Sequence, residues 1–415
     1  MSVKKLCKNL ILPSLVFTIS ISKLVIAAEV EQIAKQRGLS EKDVVAALKS
    51  YTPPGKHDEY ITFSSMGQAG TVLVYGLPSM KIYKNIAVFT PEPWQSYGYG
   101  DSESEKILKE GGQNGKKLTW GDIHHIALSE TQGKYDGEFL FADDKANARV
   151  AVIDLKYFST TQIVANPVLK SQHGGVYVSP NTDYIIQTSA YAAPYENKYV
   201  SLDEYNDKYR GGMTHWKFDR KAGKIDPKNS FTVEFPPYWQ DIADVGKNAS
   251  AGWAFSTSFN TERYIGGFGK GNTKWKDRMP FEAGVSTKDT DYLHLINMEV
   301  AESLFKEKKY KLINGHAIIQ MKDMVEKNAL FLIPVAKSPH GVTVAKEGNF
   351  ILTAGKLDTH VFVFDFFKIK NLIAKKDFSG NDTYGIPILD TQKCLHGAVE
   401  VGLGPLHSSF TTNDG

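Results

Sequence analysis

Eleven histidines are spread over 415 residues, and five of them stand in contexts that suggest a shared chemistry. His124 and His125 are adjacent in Gly-Asp-Ile-His-His. His173 and His340 each precede glycine at the head of an alternating apolar segment, and His407 follows Gly402-Leu-Gly-Pro-Leu. Neighbouring side chains on a strand point to opposite faces, so the adjacent pair can serve one ligand only where the backbone bends. Imidazole without thiolate suits zinc, copper, iron or nickel. Five imidazoles exceed what one ion ordinarily takes, so their convergence would call for a cluster of several metals. The alternative is plainer: His-Gly favours a strand entry, and each ring hydrogen-bonds locally.

Convergence depends on the elements that carry these residues. The stretches His173-Gly-Gly-Val-Tyr-Val-Ser-Pro-Asn-Thr-Asp-Tyr-Ile-Ile and His340-Gly-Val-Thr-Val-Ala-Lys-Glu-Gly-Asn-Phe-Ile-Leu-Thr read as one template: His-Gly, a strand, a polar turn, then an aromatic residue opening the next strand. The His124-His125 unit fits more loosely, with a turn expected at Tyr135-Asp136-Gly137, and Leu406-His407 begins the unit once more. Four units that each open a strand with histidine predict an all-β fold of the propeller type, whose inner strands face one axis. Short segments such as Thr71–Tyr75, Arg149–Asp154, Tyr184–Thr188, Phe231–Phe235, Leu330–Ile333, Phe350–Thr353 and His360–Asp365, rich in Val, Ile, Phe, Tyr and Thr, agree with this reading. Two helices are expected near Val300–Lys308 and Met321–Lys327. His294 and His360 are read as packed within strands, and His316 and His396 as loop residues.

Ahead of the propeller, residues 29–60 read as a helical lead, with Ser40-Glu-Lys-Asp43 resembling a capping box and Pro53-Pro-Gly55 ending it. Residues 1–28 have the layout of a secretory signal peptide: Lys4, Lys5 and Lys8, an apolar run from Leu10 to Ile21, then small residues at Ala27 and Ala28. The apolar run is short of the roughly 20 residues a membrane span needs, and no twin-arginine pair is present. General secretion and a periplasmic mature protein, with no membrane span, are therefore expected. Cys7 falls in the leader and leaves Cys394 alone, so no internal disulfide is expected. With 49 basic against 46 acidic residues the net charge is only +3, which gives no footing for nucleic acid as a partner.

Taken together, GDIHH, the run YDGEFLFADDKANARVAV, Ser338-Pro-His340-Gly, Gly355-Lys-Leu357 and Gly402-Leu-Gly-Pro-Leu-His407 resemble the amino-terminal propeller of nitrous oxide reductase. Residues 91–100 (PEPWQSYGYG) and 236–263 (PPYWQDIADVGKNASAGWAFSTSFNTER) resemble the branch of that family exported by general secretion.

The resemblance implies a seven-bladed propeller holding a tetranuclear copper-sulfide cluster on seven histidines, and reduction of nitrous oxide to dinitrogen and water. Five of the ligands match His124, His125, His173, His340 and His407. The other two, and the dinuclear copper centre of a cupredoxin domain, belong to later sequence in the family, so the chain reads as a propeller portion that does not load a full cluster by itself. A head-to-tail homodimer and a periplasmic electron donor such as a c-type cytochrome are implied as partners. The family also binds calcium, for which Phe259 and Ser338 would offer carbonyls and Glu262 and Asp291 carboxylates. Asp122, Asp136, Asp143 and Asp144 are candidate acceptors for ligating imidazoles, with Lys145 and Arg149 balancing their charge. The competing reading is an exported propeller serving as a binding module or calcium-dependent hydrolase, its histidines structural.

Overall fold

Runs of β-branched and aromatic residues broken every few positions by Gly, Asn or Asp form short antiparallel strands joined by tight turns. The computed structural model describes residues 27–112, 116–196, 198, 200–263 and 289–410. By contact the chain divides into two units: residues 1–63 with 74–84, and residues 64–73 with 85–415. The expected leader, residues 1–28, lies outside the described residues except for its last two, as does most of the segment 264–289.

In the first unit, residues 27–36 and Glu41–Ser50 are helical, and Ser40 and Asp43 form the expected capping box. The apolar positions Val30 and Ile33 are exposed rather than packed. A strand, Tyr60–Ser65, begins where the lead was expected to end, in a three-stranded sheet with Thr71–Leu77 and Ile82–Ala87.

The second unit is built of four successive sheets, the blades of an all-β, propeller-like fold. The first runs Ile126–Thr131, Lys134–Asp144, Arg149–Asp154 and Ser159–Ala165. The second has Tyr177–Val178 innermost, then Tyr184–Thr188, Gly211–Asp219 and Lys224–Phe235. The third runs Gln240–Val245, Trp253–Ser258, Tyr292–Asn297 and Leu330–Pro334, and the fourth Pro339–Val344, Phe350–Gly355, His360–Asp365 and Leu395–Glu400.

Neighbouring blades are laced together by borrowed strands. After the helix Met298–Lys306, which follows the third strand of the third blade, His316–Ile319 adds in parallel to the second blade, with Phe231 opposite Ala317. After the helix Phe366–Lys375 the chain likewise returns Pro387–Ile388 to the third blade.

The core lies between the sheets. Phe141, Val150 and Val152 of the first blade meet Val176, Ile185 and Trp216 of the second. Ile186, Met213 and Phe231 meet Ala243, Ala254 and Leu330, and Phe255, Leu293 and Phe331 meet Val342, Ile351 and Phe364. Burying both faces of the second and third blades in this way fixes the inner strands side by side.

Several expectations need correction. The first hairpin turns at Gln132 and Gly133, which carry φ of 53° and 72°, so the turn is of the two-residue left-handed kind. Tyr135-Asp136-Gly137 lies inside the next strand, where Asp136 accepts hydrogen bonds from the hydroxyls of Ser129 and Thr131. Among the described residues His407 opens no strand; residues 401–410 cross the site as irregular chain. His316 and His396 lie in strands, not loops. The two expected helices run Met298–Lys306 and Met321–Glu326.

Candidate metal centre

Each inner strand delivers its polar residue from the same end. His124 and His125 immediately precede the inner strand of the first blade, His173 precedes that of the second, Asp241 lies in that of the third, and His340 lies in that of the fourth. His407 arrives on the irregular segment, pinned by Gly404 N donating to Asp358 O at 3.0 Å and by Thr343 Oγ1 donating to Ser408 O at 3.1 Å. Gly341 makes that crossing possible, because a Cβ there would stand 2.2 Å from the carbonyl oxygen of Leu406.

The five imidazoles close a ring. Centroids of His124 and His125 are 4.7 Å apart, His125 and His407 6.2 Å, His407 and His340 4.7 Å, His340 and His173 5.3 Å, and His173 and His124 4.7 Å. The planes of the adjacent pair stand at 89°. His173 Nε2 lies 3.0 Å from His124 Nε2. Both His173 Nδ1, at 2.6 Å, and His340 Nδ1, at 2.9 Å, face one oxygen of Asp241. With Asp241 on the Nδ1 side, Nε2 of His173 is left toward its neighbours, the side a ligating histidine offers to metal. His125 Nε2 is buried and has no protein partner.

The protonation states agree with that chemistry. Burial, reinforced by the neighbouring rings, brings His124 down to about 4 and His125 to about 2. Burial and the His340 ring lower His407 as well. Burial works the other way on Asp241, yet the two imidazoles outweigh it and hold the carboxyl below the usual carboxylate range. Imidazoles around a buried carboxylate are a donor set that suits zinc, copper, iron or nickel. His124, His125 and His173 lie close enough to share one ion, as do His173, Asp241 and His340.

Asp241 was not among the acceptors expected from sequence. Its signal was slight: an acid two residues after Trp239, in a strand, Gln240–Val245, that also holds Gln240 and Asp244. The four expected acceptors have other work. Asp143 receives the backbone N–H groups of His124 and His125, and Asp144 pairs with buried Arg149, Nε to Oδ2 at 2.6 Å. Asp136 binds Arg220 at 2.9 Å, and Asp122 uses its backbone to meet Asp144 and Lys145.

The expected calcium residues also meet. Asp291 accepts from Thr261 N, Thr261 Oγ1 and Ser338 N at 3.0, 2.6 and 2.7 Å, and Glu262 accepts from Ser338 Oγ and Lys356. The carbonyls of Phe259 and Ser338 accept from the backbone of Glu262 and Lys356. These oxygens thus already face protein donors, and the Lys356 ammonium supplies a positive charge beside Glu262.

The remaining histidines stay apart from the ring. His215 and His294 are fully buried within strands, and His360 Nδ1 lies 3.1 Å from Asp358. No helix among the described residues is long and apolar enough to cross a membrane.

No family model matches the chain. Among curated proteins, it is 28% identical over 382 residues to a nitrous-oxide reductase of Pseudomonas fluorescens, covering 88% of this chain and 52% of that protein. It is 28% identical over 373 residues to that of Stutzerimonas stutzeri (87% and 51%) and 26% over 392 residues to that of Ralstonia nicotianae (89% and 53%). A solved chain of Kuenenia stuttgartiensis hydrazine synthase superposes at a TM-score of 0.49 and 10% identity, covering 84% of this chain and 73% of that one, a likeness too loose to carry an argument. The chain spans about half the length of the curated relatives it matches. Over nearly nine tenths of its own length it is a sequence relative of the nitrous-oxide reductases, the family its histidine motifs resemble.

Proposed function

We propose that this chain carries the copper-binding propeller of an exported nitrous-oxide reductase, with His124, His125, His173, His340 and His407 as ligands of a copper-sulfide cluster. The reaction takes up two electrons and two protons per nitrous oxide and yields dinitrogen and water. Such a cluster, when bound, would supply electrons in pairs, which a kinetically inert substrate needs to avoid a one-electron intermediate. The protein's part is to hold five imidazoles from four segments, to place His173 and His340 beside Asp241, and to shield Nε2 of His125 from water.

The closed ring of imidazoles carries the reading. Five histidines with merely structural roles would not be expected to face one another from three strand entries and a crossing segment, so the binding-module alternative is not favoured. Export by residues 1–28, a helical lead over 29–60, a propeller from 61 onward, a head-to-tail homodimer and a cytochrome-type electron donor belong to the same proposal. Calcium at Phe259, Glu262, Asp291 and Ser338 is proposed with it, on condition that Lys356 and the Ser338 hydroxyl withdraw from Glu262 when the ion binds.

Anaerobic loading with Cu(I) tests the proposal. Wild-type chain should retain copper through desalting, while His124→Ala and His173→Ala should retain markedly less. Equal copper in all three, or none in the wild type, would refute it.

A further inference from the structure

Two consecutive residues on a regular strand present both their side chains and their N–H groups in opposite directions. His124 and His125 do neither. Both N–H groups point at a single oxygen, Asp143 Oδ1, at 2.6 and 2.7 Å, and the two rings stand 4.7 Å apart on one side of the chain. Successive amides converging on one acceptor form an anion-binding concavity, a backbone shape distinct from a strand. The link is reciprocal, since Asp143 N donates to His125 O at 3.1 Å. Asp143 is fully buried, at the end of the strand Lys134–Asp144 that pairs with the one His124 and His125 lead into.

We propose that Asp143 is a positioning residue: its Oδ1 gathers the amides of His124 and His125 and so aims two adjacent imidazoles into one site. Without that acceptor the segment loses the partner of two amides that no ladder bond serves, and regular pairing would carry one ring away from the cluster. The clamp stands on geometry alone. Its consequence for metal rests on the copper reading above.

One oxygen acceptor suffices for this role, so Asp143→Asn should keep it and Asp143→Ala should not. Amide hydrogen exchange of the metal-free chain reads the clamp directly. The amides of His124 and His125 should exchange slowly in wild type and Asp143→Asn, and at least tenfold faster in Asp143→Ala, while amides of the other blades stay unchanged. Cu(I) affinity, measured by competition with a chromogenic chelator, should fall about 10- to 100-fold in Asp143→Ala and recover in Asp143→Asn. Slow exchange and wild-type affinity in Asp143→Ala, or an Asp143→Asn chain that behaves like the alanine variant, would overturn the proposal. Should the alanine variant fail to fold, rapid exchange of these two amides in the wild type would overturn it equally. A wild type that shows the amide pattern but takes up no copper would sink the copper reading and leave the clamp standing.

Discussion

One oxygen of Asp241 lies 2.6 Å from Nδ1 of His173 and 2.9 Å from Nδ1 of His340, so a carboxylate on the third blade orients imidazoles from the second and fourth. Removing it should loosen both rings together. Asp241→Ala is expected to lower Cu(I) affinity about 10- to 100-fold, by more than the loss of either single contact. Chelator competition on wild type and variant checks this, with circular dichroism to show that the blades remain.

Gly341 offers a test that touches no ligand. A methyl group there would press on the Leu406 carbonyl at 2.2 Å and push the segment bearing His407 away. Gly341→Ala should cost about tenfold in copper affinity, as for other losses of ligand support, while the melting temperature moves little. A crystal structure of the variant should show His407 displaced and the other four rings in place.

Arg149 is fully buried, ion-paired to Asp144, and donates to the carbonyls of Leu118 and Trp120 on the approach to the histidine pair. Breaking a buried pair leaves an uncompensated charge, at a typical cost of about 3–5 kcal/mol. Arg149→Met should therefore lower the urea midpoint by a corresponding amount. Little change would mean that Asp144 finds water or another donor.

Acid should destabilise the metal-free chain through its buried histidines, partly offset by the carboxyls of Asp244 and Asp291, which burial raises to about 6. Burial holds His215 at about 4 and His294 at about 3, against an ordinary value of 6.5. The unfolded chain takes up these protons near pH 6.5 and the folded chain resists them, so stability is complete above that pH and falls as pH drops toward 4. The loss from His215 alone is roughly 3 kcal/mol by pH 4, from its value of about 4. Urea titrations from pH 7.5 to 4 should show the decline, and His215→Phe, set among Phe231 and Tyr184, should flatten it.

Much of this site was legible because its residues advertise themselves. A histidine at a strand mouth, repeated with the same turn grammar, locates a propeller axis without any coordinates. His407 was legible as a member of the imidazole ring but not as a strand opener, since its segment is held by Gly404, Thr343 and the open space over Gly341, none of which forms a periodic pattern. Asp241, and the amide-binding role of Asp143, were hidden for a different reason: an acid in a strand is chemically ordinary until one knows which amides or rings face it. Turn placement failed at Tyr135-Asp136-Gly137 because Gln132-Gly133, a plain left-handed pair, closed the hairpin earlier and Asp136 was drawn inward to Ser129 and Thr131. The strands that lace one blade to the next follow no local signal, since their partners lie far along the chain, Ala317 opposite Phe231 and Ile388 opposite Leu332.

Copper K-edge X-ray absorption on the anaerobically loaded chain puts the central claim to its most direct test. Imidazole backscattering around copper, diminished in His173→Ala and His340→Ala alike, is the predicted result. Copper bound without imidazole, or a spectrum unchanged by both substitutions, would contradict it.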